Sequence, residues 1–270
     1  MMMTQSNNKR IVKNTLFLYI RMFLMMGISL YTSRIILATL GVTDYGIYNV
    51  VGGLVAMFSF LNATMSGATS RFITFELGKN SSKVQTVFSV ALTIHIIIAL
   101  IVFLIGETFG LWFLENKLTI PATKMYEAKW LLQFSIVTMI FSFTQVPYNA
   151  SIIAHEKMNI YAYFELVNVG LKLLSVYLLL IIDANKLIFY GAIVMLTQIG
   201  VTLLYRLYCT RKWEHCKFNL SLDREFLRPL LSYSGWDLFG NASLVARTQG
   251  VNVLLNIFFG AILNAAAGIA

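Results

Sequence analysis

Ionisable and amide side chains recur at helical spacing inside otherwise apolar runs, and these are the residues with chemistry to offer. Tyr161, Glu165, Asn168, Lys172 and Ser175 follow steps of four, three, four and three, so they share one face of a helix. Lys172 lies ~20 Å along that helix from Asn159 at 1.5 Å per residue, near or past the middle of a bilayer. A charge at that depth must face protein or a water-filled cavity. The same spacing also suits a structural Glu165–Lys172 interaction with Asn168 between them. Ser234, Asp237, Asn241, Thr248 and Asn252 form a second polar face, interrupted by Val245. Arg247 points elsewhere on an ideal helix unless Gly240 or Gly250 bends it. Tyr48, Gly52, Ser59, Asn62 and Ser66 form a third face, and Ser135, Thr138, Ser142, Gln145 and Asn149 a fourth, with Pro147 predicting a kink at its end.

This chemistry is binding rather than covalent catalysis. Arg21, well inside the first apolar run, together with Lys172 and Arg247, can attract an anion. Asn168, Asn62, Gln145 and Asn241 can hydrogen-bond a polar substrate, and Asp237 and Glu165 can couple its movement to an ion. Arg34 lies nearer the end of its run and suits snorkelling to the interface. The hydroxyl and glycine positions alone also read as helix-to-helix packing, which small and hydroxyl residues commonly provide in membranes. His95, His155 and His215 are scattered, His95 reading as a packed or hydrogen-bonded side chain. Cys209 and Cys216 fall in or beside a basic loop assigned to the cytoplasm, where thiols stay reduced. No catalytic residue, metal site or cofactor is assigned, and no enzyme activity is expected. A membrane glycosyltransferase or polymerase would call for a large polar loop with clustered acids or histidines, which this sequence does not contain.

The elements that must carry these residues follow from composition. Of 270 residues, 58% are hydrophobic and 12% charged, against about a quarter charged in soluble domains. Mean hydropathy is +0.72. Several runs reach the roughly 20 apolar residues that cross a hydrocarbon core, and unbroken stretches such as Val90 to Ile105 lack the alternation of barrel strands. The fold class is all-α, a polytopic transmembrane helix bundle. Spans are expected at 14–39, 45–66, 84–106, 128–150, 160–182, 187–208 and 229–258, with another opening at 261. The segment from Arg71 to Lys83 reads either as an amphipathic surface helix or as an ordinary basic loop.

With the N-terminus inside, the inner segments hold Lys9, Arg10, Lys13, Arg71, Lys79, Lys83, Lys157, Arg206, Arg211, Lys212, Lys217, Arg224 and Arg228. The outer segments hold only Lys117, Lys124, Lys129 and Lys186. That asymmetry predicts a cytoplasmic N-terminus in a multi-pass protein of a cytoplasmic membrane. It also explains the net charge of +9 without nucleic acid as a partner. The basic start followed by a long apolar run reads as a retained first helix.

A weak internal repeat brings Arg34–Val50 over Val253–Ile269, with Gly41 over Gly260. It predicts a cytoplasmic segment at 1–13, a six-helix N-terminal lobe at 14–210, an inter-lobe linker at 211–228 and the first part of a second lobe at 229–270. The apolar ending at Ala261–Ala270 reads as an N-terminal fragment of a longer protein, one that would not transport alone.

The stretches TLGVTDYGIYNVVGGLVAMFSFLNATMSGATSRFITFELGK, VPYNASIIAHEKMNIYAYFELVNVGLKLLSVY and YSGWDLFGNASLVARTQGVNVLLNIFFGAILNAAAGIA together resemble bacterial polysaccharide-biosynthesis membrane proteins. Among these are O-antigen flippase-like members of the multidrug/oligosaccharidyl-lipid/polysaccharide exporter superfamily. The resemblance covers Asn14 to Ala270 and is a pattern over segments more than one diagnostic motif. It implies two lobes of helices and movement of an undecaprenyl-pyrophosphate-linked oligosaccharide from the inner to the outer leaflet of a bacterial cytoplasmic membrane, for surface polysaccharide synthesis. The partners so implied are the lipid-linked oligosaccharide, membrane lipids, H+ or Na+, and polysaccharide-assembly proteins. The alternative within the superfamily is a multidrug or organic-cation antiporter, for which acidic groups should dominate the cavity.

Overall fold

The computed structural model describes residues 2–79, 82–182 and 185–267, with side chains from 15 onward except at 17, 18, 20 and 21. The described residues form nine α-helices and no strand: α1 (Met2–Ala56), α2 (Ser59–Gly78), α3 (Val84–Ile105), α4 (Leu111–Asn116), α5 (Met125–Ala154), α6 (Met158–Ile181), α7 (Lys186–Lys212), α8 (Arg224–Phe259) and α9 (Ala261–Ala267). Lipid offers no partner for backbone N–H and C=O groups, so helices that satisfy themselves internally are the natural outcome for so apolar a chain. Five stretches are long and apolar enough to cross a membrane: Met22–Ala56, Val84–Asn116, Ala122–Ala154, Met158–Ile181 and Lys186–Lys212. The chain is thus an all-α, multi-pass membrane protein.

Two expected spans take a different form. Residues 45–56 continue α1 beyond a turn at Gly41, and the backbone breaks again at Met57 and Phe58 before α2. The break stays hydrogen-bonded, with Met57 N donating to Gly53 O (3.0 Å) and Phe58 N to Val55 O (3.1 Å). The seventh expected span corresponds to α8, which is long, but its polar residues, Asp237, Asn241, Arg247 and Asn252 among them, keep it from being apolar enough to count with the five. From Arg71 to Gly78 the segment read as a surface helix or a loop is the last part of α2, with Ile73 and Glu76 buried; residues 80 and 81 lie outside the description. Helix α5 runs on through Pro147.

The glycines aligned by the sequence repeat share one backbone conformation. Gly41 has φ 80° and ψ 167°, and Gly260 has φ 78° and ψ −174°. This region is essentially closed to residues with a Cβ. The two copies also meet: a Cβ on Gly46 would lie 1.9 Å from the Ala261 carbonyl oxygen, so α9 rests directly on the α1 backbone after its turn.

Three clusters of buried side chains hold the bundle. At one end, Ile73, Phe88, Tyr148, Ile152, Tyr205 and Leu230 join α2, α3, α5, α7 and α8. A second cluster gathers Ile47, Val51, Leu132, Ile136, Phe143 and Leu187 from α1, α5 and α7. At the opposite end Ile36, Tyr45, Val176, Leu179 and Tyr190 join α1, α6 and α7.

The stretch expected to be a linker is docked. Trp213 stacks on His155 (4.1 Å between ring centroids, 24°), and His215 lies parallel to His155 at 5.2 Å and 4°. Cys209 and Cys216 are free thiols buried beside this stack. Ser221 N donates to Thr93 Oγ1 (3.0 Å), and Lys83 pairs with Glu225 at 2.6 Å. Two of the three histidines that look scattered in sequence are therefore neighbours.

Burial lowers the His155 pKa, His215 and Lys157 add to that effect, and a bond to the Ser151 carbonyl opposes it. The folded chain therefore resists a proton that the unfolded chain accepts near pH 6.5. Stability is full above about 6.5 and declines as pH falls below it. Acidification from about pH 7 to about pH 5 should lower the melting temperature of the purified protein, and His155→Phe should flatten that slope. An unchanged slope in the variant would assign the effect elsewhere. At the turn, Gly41→Ala should destabilise by about 1–3 kcal/mol in the same assay. Gly170→Ala, which is in helical backbone with open space around it, should not.

Candidate functional site

The polar faces of the second and fourth expected spans meet inside the bundle. Tyr48 and Gly52 from α1, Ser135, Thr138 and Ser142 from α5, and Gln198 from α7 line a cavity of about 230 Å³, whose other walls are apolar, Leu131, Phe134 and Val194 among them. Tyr48 closes one side, its ring 5.0 Å from that of Tyr190. On the other side Asn62 Nδ2 donates to Ser142 Oγ at 3.0 Å. Beyond it, Gln198 Nε2 donates to Gln145 Oε1 at 2.9 Å, and Thr202 Oγ1 donates to the same oxygen at 3.1 Å. The result is a neutral seam of amides and hydroxyls running between α1, α2, α5 and α7. Its hydrogen-bonding capacity is not used up: Asn62 Oδ1 and Asn149 Oδ1 are buried and have no partner among the described residues.

Sequence periodicity found the α1 and α5 sides of this seam but missed Gln198, Thr202 and Tyr205 on α7. Their spacing of four and three is the same helical signal, diluted by the surrounding leucines.

The charged candidates border the bundle. On α6, the buried row is Ala162, Val169 and Val176, and Lys172 stands within about 60° of it on an ideal helix. Lys172 is exposed and Asn168 half-buried. Glu165 accepts a 3.4 Å hydrogen bond from Tyr205 Oη. No ion pair joins Glu165 to Lys172 among the described residues, so their structural pairing is not formed. On α8, Asn241 reaches Thr64 Oγ1 on α2 at 3.3 Å, which ties that polar face to the bundle. Asp237 and Arg247 are exposed. The side chain of Arg21 lies outside the described residues. His95 is fully buried, with Nδ1 2.7 Å from the Ala91 carbonyl oxygen.

Chemically, the seam offers donors and acceptors of no net charge, suited to the hydroxyls of a polyol. Exposed cations on α6 and α8 are suited to an anion outside it. Among the described residues, no three His, Cys, Asp or Glu side chains converge to hold a metal ion. No family model, curated protein or solved structure matches the chain.

Interhelical hydrogen bonds in membranes carry modest energies, on average about 0.6 kcal/mol and at most about 1.7. A double-mutant cycle on Gln145→Ala and Gln198→Ala, read by reversible unfolding in mixed detergent, should give a coupling in that range. Additive effects would mean that the two amides do not interact.

Proposed function

We propose that this chain serves in moving a lipid-linked oligosaccharide across a bacterial cytoplasmic membrane, the role expected from its likeness to polysaccharide exporters. The observation that carries this reading is the neutral amide and hydroxyl seam with its cavity inside an otherwise apolar bundle. A saccharide presents hydroxyls that both donate and accept, and Gln145, Gln198, Asn62 and Ser142 are matched to such a ligand. The diphosphate needs cations outside the seam, and Lys172 and Arg247 supply them as a point charge and a planar fork. The prenyl tail stays in the bilayer, whose hydrocarbon meets the exposed apolar faces of α6 and α8. In this reading, turns at Gly41 and Gly260 let the helices on either side tilt against each other as access alternates. Glu165, beside Tyr205, and Asp237, exposed on α8, are the groups available for coupling to H+ or Na+.

The test is complementation of a strain lacking its lipid-linked oligosaccharide flippase, with surface polysaccharide as the readout. The full-length protein that carries this chain should restore polysaccharide, and its Lys172→Ala variant at equal expression should fall to the level of the empty vector. Retained polysaccharide in the Lys172→Ala strain would remove the cation from the mechanism. Failure of the well-expressed full-length protein in strains of several sugar types would overturn the reading.

A further inference from the structure

A second polar cavity lies at the end of the bundle where α6 turns into α7, apart from the seam. It encloses about 610 Å³ and is lined by Tyr31, Arg34 and Ile35 of α1, Tyr177 and Leu180 of α6, and Lys186 of α7. The phenol oxygens of Tyr31 and Tyr177 lie 3.1 Å apart. Two cations and two phenols thus share one cavity, whose remaining walls are Ile35, Ala38 and Leu180 and Thr39, the last with its hydroxyl bonded back to the Ile35 carbonyl at 2.8 Å. Neither Arg34 nor Lys186 joins an ion pair among the described residues. The acids described at this end are already engaged: Asp44 pairs with Lys124 at 2.9 Å, and Glu127 accepts from Asn185 Nδ2 at 3.0 Å. Asp183 lies outside the described residues. Lys186 also opens the 27-residue α7, whose N-terminal dipole adds field of the same sign.

These groups describe a ligand with an anionic, multiply accepting head and an apolar body. Arg and Lys hold phosphate oxygens, the phenols donate to the same oxygens, and Ile35 and Leu180 contact hydrocarbon. The cavity opens where the apolar helix ends, the depth at which a lipid phosphate sits and at which tyrosines and long cations are normally anchored. We infer that this cavity is a specific site for the phosphate headgroup of an anionic phospholipid in the adjoining leaflet, clamped between Arg34 and Lys186 across the α1–α6–α7 junction. Such a lipid would tie the outer ends of three helices together, above the small cluster of Ile36, Val176 and Leu179. The inference is independent of what the seam carries.

Native mass spectrometry of the full chain in detergent tests it, with phosphatidylglycerol and phosphatidylcholine of identical acyl chains as probes. Phosphatidylglycerol should be retained preferentially. Arg34→Gln with Lys186→Gln should weaken its binding about tenfold, the equivalent of losing one charged hydrogen bond. Tyr31→Phe with Tyr177→Phe, which keeps ring packing, should weaken it less but measurably. Lys157→Gln, an exposed cation at the other end of α6, should leave it unchanged. Equal retention of the two lipids, or no loss in either pair of variants, would overturn the site. Displacement of phosphatidylglycerol by inorganic phosphate at equal concentration would assign the cavity to a free anion and overturn the lipid.

Discussion

The structure depends first on the backbone. In a chain this apolar, each N–H and C=O needs a partner within its own segment, and this forces helices and makes every interruption costly. The interruptions are few and each is compensated. At Met57 and Phe58 the ladder tightens to short-range bonds and continues into α2. At Gly106–Gly110 the helix loosens by one residue, with Leu111 N bonding back to Gly106 O, before α4 resumes. At Gly41 and Gly260 the chain turns through a conformation that only glycine holds without strain. Insertions of this π type recur at functional sites in helices. The one here sits opposite the break at Met57, where Gly106 and Gly110 face Phe58 and Val245 across an apolar gap.

Polar side chains obey the same constraint. Ser, Thr and His residues in the spans commonly turn back to a carbonyl one turn away, as His95 does to Ala91 and Thr93 to Ser89. The side chains that instead reach another helix are mostly amides: Asn62, Gln145, Gln198 and Asn241. An amide is long enough to cross an interhelical gap and carries both a donor and an acceptor, so one contact leaves capacity for another. This is why the seam both joins the helices and keeps unspent acceptors beside a cavity. Packing and binding are not competing accounts of these residues.

Much of this was legible in the sequence, for identifiable reasons. Apolar run length predicted seven crossings and the opening of an eighth, and five stretches prove long and apolar enough to cross, because hydrocarbon thickness sets that length directly. Helical spacing brought Tyr48, Gly52 and Asn62 to the same seam as Ser135, Ser142 and Gln145, because a face repeats whatever lies opposite it. The glycine pair was visible because no other residue suits that backbone. What spacing does not encode is which face turns outward. Lys172 and Asp237 belong to polar rows, yet both are exposed, since their rows lie at the edge of the packed surface rather than its centre. Contacts between distant segments were equally hidden. The His155–Trp213–His215 stack joins residues from two connections, and nothing in either connection alone points to the other.

The division between neutral seam and charged border has a physical logic of its own. An ion taken into the seam would lose its hydration for neutral partners that return only part of it, and the loss in a low-dielectric bundle is several kcal/mol per charge. A polyol loses less, because amides and hydroxyls can both donate to and accept from its hydroxyls. An amphiphile with sugar, phosphate and hydrocarbon parts finds a counterpart for each: the seam of Gln145 and Gln198, the exposed cations Lys172 on α6 and Arg247 on α8, and the exposed leucines of α6. A lipophilic cation has no polyol to satisfy the amides and hydroxyls of the seam. The uncharged seam, matched to sugar hydroxyls, more than the charges around it, is what favours a glycolipid over an organic cation as the proposed cargo.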